Sequence, residues 1–150
     1  MALIKNKVAL GQKPVPSFND AIGGKFRTEI DFNDADYNGV TPVANDIIDM
    51  GTLPSDVQLL DYQIDSDDLD SNGSPAIAYS FGLLNAAKTD LAVVFASGIT
   101  ISQAGGLARA TSALHLRQTS GLNVGFKITT AAATFAKGKL GVTMDVRPQY

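Results

Sequence analysis

Asp65, Asp67, Asp68 and Asp70 place four carboxylates within six positions, and Asn72-Gly73 follows directly. Read from Asp68, the run Asp68-x-Asp70-x-Asn72-Gly73 matches the first half of a calcium-binding EF-hand loop. There, hard carboxylate oxygens surround the ion and glycine allows the sharp turn. The second half is missing. The twelfth position, where a bidentate glutamate closes the coordination sphere, is Tyr79, and Pro75 stands between flanks that read as strands. A looser cation site on the four aspartates is one reading. The other, preferred here, is an acidic hairpin loop capped by Asx turns, whose charges discourage edge-to-edge pairing. Neither metal nor cofactor is expected.

The remaining residue types offer little chemistry. His115 is the only histidine and lies in an alternating stretch beside Arg117, which reads as an exposed strand position. The chain has no cysteine, so disulfides, thiolate nucleophiles and sulfur-ligated metals are excluded. The glycines of SQAGGLAR (102–109) satisfy neither the phosphate-binding loop nor the dinucleotide fingerprint. Ser97-Gly98 lacks the preceding Gly-x of a nucleophile elbow. Aromatic residues are 7% of the chain and do not alternate with basic ones, so no direct nucleic-acid contact is expected. The reading is of a protein that is not an enzyme.

The elements are strands. Of 15 acidic residues, Glu29 is the one glutamate. Aspartate favours turns and caps, where its short side chain reaches nearby amides, whereas glutamate favours helix interiors. In KFRTEIDF, Phe26, Thr28, Ile30 and Phe32 share a face; in VQLLDYQIDS, Leu60, Tyr62 and Ile64 do. PAIAYSFG sets Ile77, Tyr79 and Phe81 together, and LNVGFKI does the same for Leu122, Val124, Phe126 and Ile128. LGVTMDV, with Leu140, Val142, Met144 and Val146 on one face, is expected to pair with LNVGFKI as a hairpin. TDLAVVFASG is expected to open one short helix capped by Thr89. The fold class is therefore all-β: an antiparallel β-sandwich or jelly-roll-like barrel with an extended N-terminal arm and at most one short helix. Residues 1–25 form the arm and 26–150 the sandwich domain. Two prolines and no sustained period mark the arm, yet Leu3, Ile4, Val8, Leu10, Val15 and Phe18 are more apolar than a solvated tail requires. With Lys5, Lys7 and Lys13 they are the candidate partner-binding residues.

Charge is unevenly spread. From Thr28 to Ala87 there is no lysine or arginine against twelve acidic side chains, while both ends are basic. The opposite charges meet within one fold, where each surface pair contributes little, or across subunits, where they steer assembly. No apolar run is long enough to span a membrane, and Lys5 and Lys7 interrupt any secretory segment at the N-terminus.

Three stretches carry a family likeness: 46–85, SGITISQAGGLARA, and GFKITTAAATFAKGKLGVTMDVRP. Leu53-Pro54 entering a strand, the acidic loop Asp67 to Gly73, the Phe81 to Leu84 exit and Thr130 to Thr134 before the last strand resemble small virion structural proteins of tailed bacteriophages. The head decoration, or capsid-cementing, class is the nearest. The resemblance implies a non-enzymatic protein on the outer surface of the capsid, made in the host cytoplasm, that stabilises the shell by bridging capsomers. It implies the major capsid protein as partner, and self-association as a homotrimer in preference to a homodimer. Another virion position (tail, neck or fibre anchor) and a calcium- or carbohydrate-dependent binding module are the alternatives.

Overall fold

The computed structural model describes residues 1–12, 24–53, 57–111, 117–118 and 121–148. Ten strands are present among them: β1 (Leu3–Lys5), β2 (Gly24–Asp31), β3 (Ile47–Thr52), β4 (Val57–Ser66), β5 (Ala78–Leu84), β6 (Leu91–Ile99), β7 (Gly106–Arg109), β8 (Arg117–Gln118), β9 (Asn123–Thr130) and β10 (Lys139–Pro148). Two short 3-10 turns, Ala35–Tyr37 and Ile101–Gln103, are the helical elements of the described residues. One sheet runs β1-β3-β9-β5-β6; the other runs β2-β10-β4-β7, with β8 also against β4. All pairs are antiparallel except β1 with β3. The two sheets face each other as a β-sandwich, as expected from the alternation.

The inward faces match the period-2 pattern closely. Thr28 and Ile30 of β2, Val124, Phe126 and Ile128 of β9, and Leu140, Val142, Met144 and Val146 of β10 are all buried. Aromatic rings join the layers. Tyr79 and Phe81 of β5 pack on Phe126 with centroids 5.4 and 5.0 Å apart, and Phe81 meets Tyr62 of the other sheet at 4.9 Å. Below them a buried hydroxyl cluster links three elements: Ser102 Oγ lies 2.6 Å from Ser66 Oγ and 2.8 Å from the Tyr79 hydroxyl. Burial pushes the Tyr79 phenol up to about 12, against the lowering effect of these hydrogen bonds.

Five expectations are corrected. TDLAVVFASG is not a helix but the edge strand β6. Leu91 and Phe95 stand four apart, an even spacing that a strand keeps on one face as a helix does, but Val94, which a helix would turn inward with them, is 54% exposed. LNVGFKI and LGVTMDV do not form a hairpin. β9 is central in one sheet and β10 in the other, and the connection 131–138 crosses between layers. The acidic loop likewise crosses from β4 to β5 between sheets. Within β4, a bulge opposite the Asp145/Val146 step turns Leu59 inward and leaves Leu60 exposed. Finally, residues 1–12, read as part of an arm, are built into the sandwich through β1. A three-residue parallel strand is too short to show a period. Leu114, His115 and Leu116 lie outside the described residues.

At the centre of the first sheet, Gly82 of β5 pairs with Gly125 of β9. A Cβ on Gly82 would stand 1.9 Å from the Val93 carbonyl oxygen, and one on Gly125 would stand 2.6 Å from that of Ile48. Main chain cannot retreat as a side-chain tip can. Gly82→Ala is expected to destabilise the fold by about 3 kcal/mol, the upper end of overpacking costs, read as a lowered urea midpoint with unchanged slope.

The acidic loop and the candidate interaction surfaces

Each carboxylate of the acidic loop has its own donor. Asp65 takes a bidentate contact from Arg27, whose Nη2 is 2.7 Å from Oδ2 and also 3.0 Å from Glu29. This hydrogen bonding to Asp65 holds the Arg27 guanidinium well above its ordinary range. Asp67 accepts from the Lys139 amide at 2.8 Å, and Asp68 accepts from the Asp70 amide at 2.9 Å in an Asx turn.

Asp70 is different in degree. It is 1% exposed, and its Oδ2 accepts from the amides of Ala76 (2.7 Å), Ala133 (2.9 Å) and Ile77 (3.1 Å). Its Oδ1 accepts from Thr134 N (2.9 Å) and, more distantly, Asn72 N (3.4 Å). Desolvation pushes the Asp70 carboxyl up. The Thr134, Ala76, Ala133 and Ile77 amides together outweigh it and hold the group well below the carboxylate range. Asp70 thus clamps both inter-sheet crossings, 67–77 and 131–138, to one point. The loop continues the clamp: Ser71 N donates to Thr134 O at 3.0 Å, and Asn72 Nδ2 donates to Thr134 Oγ1 at 3.0 Å. The aspartates diverge onto amides and Arg27 instead of converging on a shared centre. Among the described residues, no three acidic or histidine side chains are grouped so that they could hold a metal ion.

The candidate partner-binding residues separate into two groups. Ile4 is in the core, and Val8 Cγ1 lies where a Gly51 side chain would begin. Lys7 pairs with Asp34 and stands 3.8 Å from Asp36; the Asp34 contact raises its pKa. Lys5 is half-buried, and its carbonyl accepts from the Tyr37 hydroxyl at 2.9 Å. Leu3 and Leu10, 40% and 46% exposed, remain at the surface. Lys13, Val15 and Phe18 lie outside the described residues.

Between Lys5 and Lys7, the wholly buried Asn6 was missed by sequence reasoning. Its Nδ2 donates to Thr28 Oγ1 and, at 3.0 Å, to Met50 O, while its Oδ1 accepts from Ala9 N at 2.8 Å. Asp46 holds the chain start by accepting from Ala2 N at 2.6 Å. Asp49 is buried on β3, contacted by Lys88 Nζ at 2.8 Å and Asn123 Nδ2 at 2.7 Å.

The charge asymmetry resolves largely inside the chain. Lys7, Arg27, Lys88 and Lys139 pair with Asp34, Asp65, Asp49 and Asp31 of the acidic middle. Lys127 meets Asp90 at 2.9 Å, which lowers the Asp90 pKa, and Lys25 meets Asp145 at 3.5 Å.

What the surface offers instead is apolar. Val94 of β6 and Leu107 of β7 are 54% and 59% exposed. Between these edges runs a groove of about 250 Å³ whose walls include Ile64, Ile99, Ile101 and Ala108. Tyr62, also in its wall, has a buried hydroxyl without a hydrogen-bond partner among the described residues.

No protein-family model and no curated protein sequence matches the chain. Solved structures do. A chain in the "Capsid of Ralstonia phage GP4" superposes with a TM-score of 0.82 at 28% identity, over 99% of both chains. A chain of the "Cyanophage Pam1 capsid asymmetric unit" superposes at 0.65, with 24% identity over 92% of this chain and 95% of that one. The fold is that of a phage capsid chain. The first match runs essentially end to end, so the likeness extends to the described N-terminal strand and both crossings. The second, at lower identity, speaks to the fold alone. The first supports a structural role in a phage virion.

Proposed function

We propose that the chain is a non-enzymatic decoration protein that binds the outside of a phage head and stabilises it by bridging capsomers. The end-to-end likeness to a phage capsid chain carries this reading. The surface supports it: the carboxylates of the acidic loop are engaged within the fold, and Leu3, Leu10, Val94 and Leu107 are exposed for contact. A protein that binds the assembled shell and not its free subunits favours assembly by mass action. Many modest contacts on a symmetric lattice then add to a large total. The partner is the major capsid protein, and copies associate with one another, as trimers in this proposal.

Leu3 and Leu10 are the attachment residues favoured among the original candidates, because they face solvent while their neighbours hold the fold. The double variant Leu3→Asp, Leu10→Asp is expected to melt like the parent yet bind heads at least tenfold more weakly, since two buried leucines contribute roughly 1.5–3 kcal/mol each. Sedimentation with heads measures this. Unchanged binding would move attachment to the β6/β7 side.

The function itself is tested by adding the purified protein to heads that lack it. Bound protein should raise the temperature at which the heads release DNA. Saturating binding without any gain in stability would contradict the proposal, as would failure to bind.

A further inference from the structure

The chain holds two Asn-Gly pairs in exposed loops, Asn38-Gly39 and Asn72-Gly73. Asparagine before glycine is open to intramolecular cyclisation. The glycine nitrogen attacks the side-chain Cγ, the Cγ–Nδ2 bond breaks, and ammonia leaves a succinimide ring. Water then opens either ring carbonyl, giving aspartate or isoaspartate; nothing is oxidised or reduced. Both glycines have open space where a Cβ would stand, so neither site is shielded at that atom.

The two asparagines are held differently. Asn72 has both ends of its amide engaged: Oδ1 accepts from Ser74 N at 2.9 Å, and Nδ2 donates to Thr134 Oγ1 at 3.0 Å. Its loop is fastened to the Asp70 clamp through the Ser71 amide and the Thr134 carbonyl. Cyclisation there would break the Asx turn and expel the donor that ties the two crossings together.

Asn38 ends the Ala35–Tyr37 turn, its backbone N–H donating to Ala35 O at 3.2 Å, and its side-chain amide is engaged at one end. Its Oδ1 accepts from the Lys137 ammonium at 3.2 Å. Its Nδ2 makes no hydrogen bond among the described residues. The ammonium draws electron density from the amide carbon, which favours attack there. The resulting carboxylate would then face a cation already in place, in the same way that Lys7 faces Asp34 on this turn. Gly39 follows with φ of 82°, a backbone state that glycine alone adopts freely. The Asn38 ψ of 123° keeps the Gly39 nitrogen away from Cγ, so reaction waits on rotation of this exposed peptide and is slow.

We infer that Asn38 is a spontaneous modification site at which the fold converts a neutral side chain into an anion beside Lys137, while Asn72 is protected.

The test is peptide mapping of the purified protein during incubation at mildly alkaline pH and 37 °C, alongside a urea-unfolded sample. In the folded protein, the Asn38 peptide should split into aspartyl and isoaspartyl products, the latter accepting methyl groups from an isoaspartyl methyltransferase. The Asn72 peptide should stay intact. In urea both should react, because the protection comes from the fold. Lys137→Met should slow the folded reaction, and Asn38→Gln should abolish the product without altering the melt. Reaction at Asn72 as fast as at Asn38 in the folded state overturns the inference. So does an unreactive Asn38, or selectivity that persists in urea.

Discussion

Asp70→Asn should lower the unfolding midpoint more than neutralising any exposed carboxylate of the chain. The exchange keeps size and shape, so its effect isolates charge and hydrogen-bond polarity. Placed either way, the new amide nitrogen faces donors. If it replaces Oδ1, the Thr134 and Asn72 amides oppose it; if it replaces Oδ2, the Ala76, Ile77 and Ala133 amides do. Buried N–H groups that lose their acceptor carry the full desolvation penalty. The same group shapes the acid limb. The Asp70 pKa is depressed in the folded state, so its stabilisation is fully present above the unfolded value of about 4. It is lost progressively as pH falls toward the folded pKa. Parent protein should therefore lose stability steadily below about pH 4, with the variant showing a shallower slope there. Urea midpoints across pH 2–7 measure both. Parallel curves, or a midpoint shift no greater than that of Asp36→Asn, would show that the clamp is not what holds the crossings.

Removing residues 1–12 should abolish cooperative folding. β1 contributes Ile4 to the core, a burial worth roughly 1.5–3 kcal/mol. Loss of Asn6 leaves the buried Met50 carbonyl with Thr28 Oγ1 as its remaining side-chain donor. It also strips Asn6 N from the Asp49 carbonyl, at about 1–3 kcal/mol for each buried group left unsatisfied. Losing the Tyr37 hydroxyl contact and the Lys7 pair adds to this. The sum approaches the roughly 5–15 kcal/mol by which domains are stable. Asn6→Ala alone should lower the midpoint clearly while leaving the β spectrum intact. Circular dichroism and urea unfolding of the two variants separate the cases. A truncated chain that melts like the parent would return residues 1–12 to the status of a detachable arm.

The central strands were legible because both β9 and β10 bury one side-chain face in an unbroken period of two. Their partners were not, since alternation says which face is inward and nothing about which sheet a strand joins. β6 was misread because Leu91 and Phe95 stand four apart, a spacing that strand and helix share, and Val94 was counted inward with them although it is exposed. The Asx turns of the acidic loop were legible in its composition, and the structure places them at Asp68 and Asn72, although the loop crosses between sheets and is not a hairpin. What distinguishes Asp70 from its neighbours is its contact with amides at 133 and 134, more than sixty positions away, and no local pattern announces that. Asn6 carried one faint signal, its place two residues after Ile4 in an alternating stretch, too short to weigh. The apolar surface at Val94 and Leu107 follows from bulges and edges that only pairing reveals.

Cryo-electron microscopy of heads carrying this protein tests the central claim most directly. The expected result is a two-layer β-sandwich on the outer surface, seated across the boundary between neighbouring capsomers and repeated with the symmetry of the shell. Density confined to the interior, the neck or the tail would contradict it.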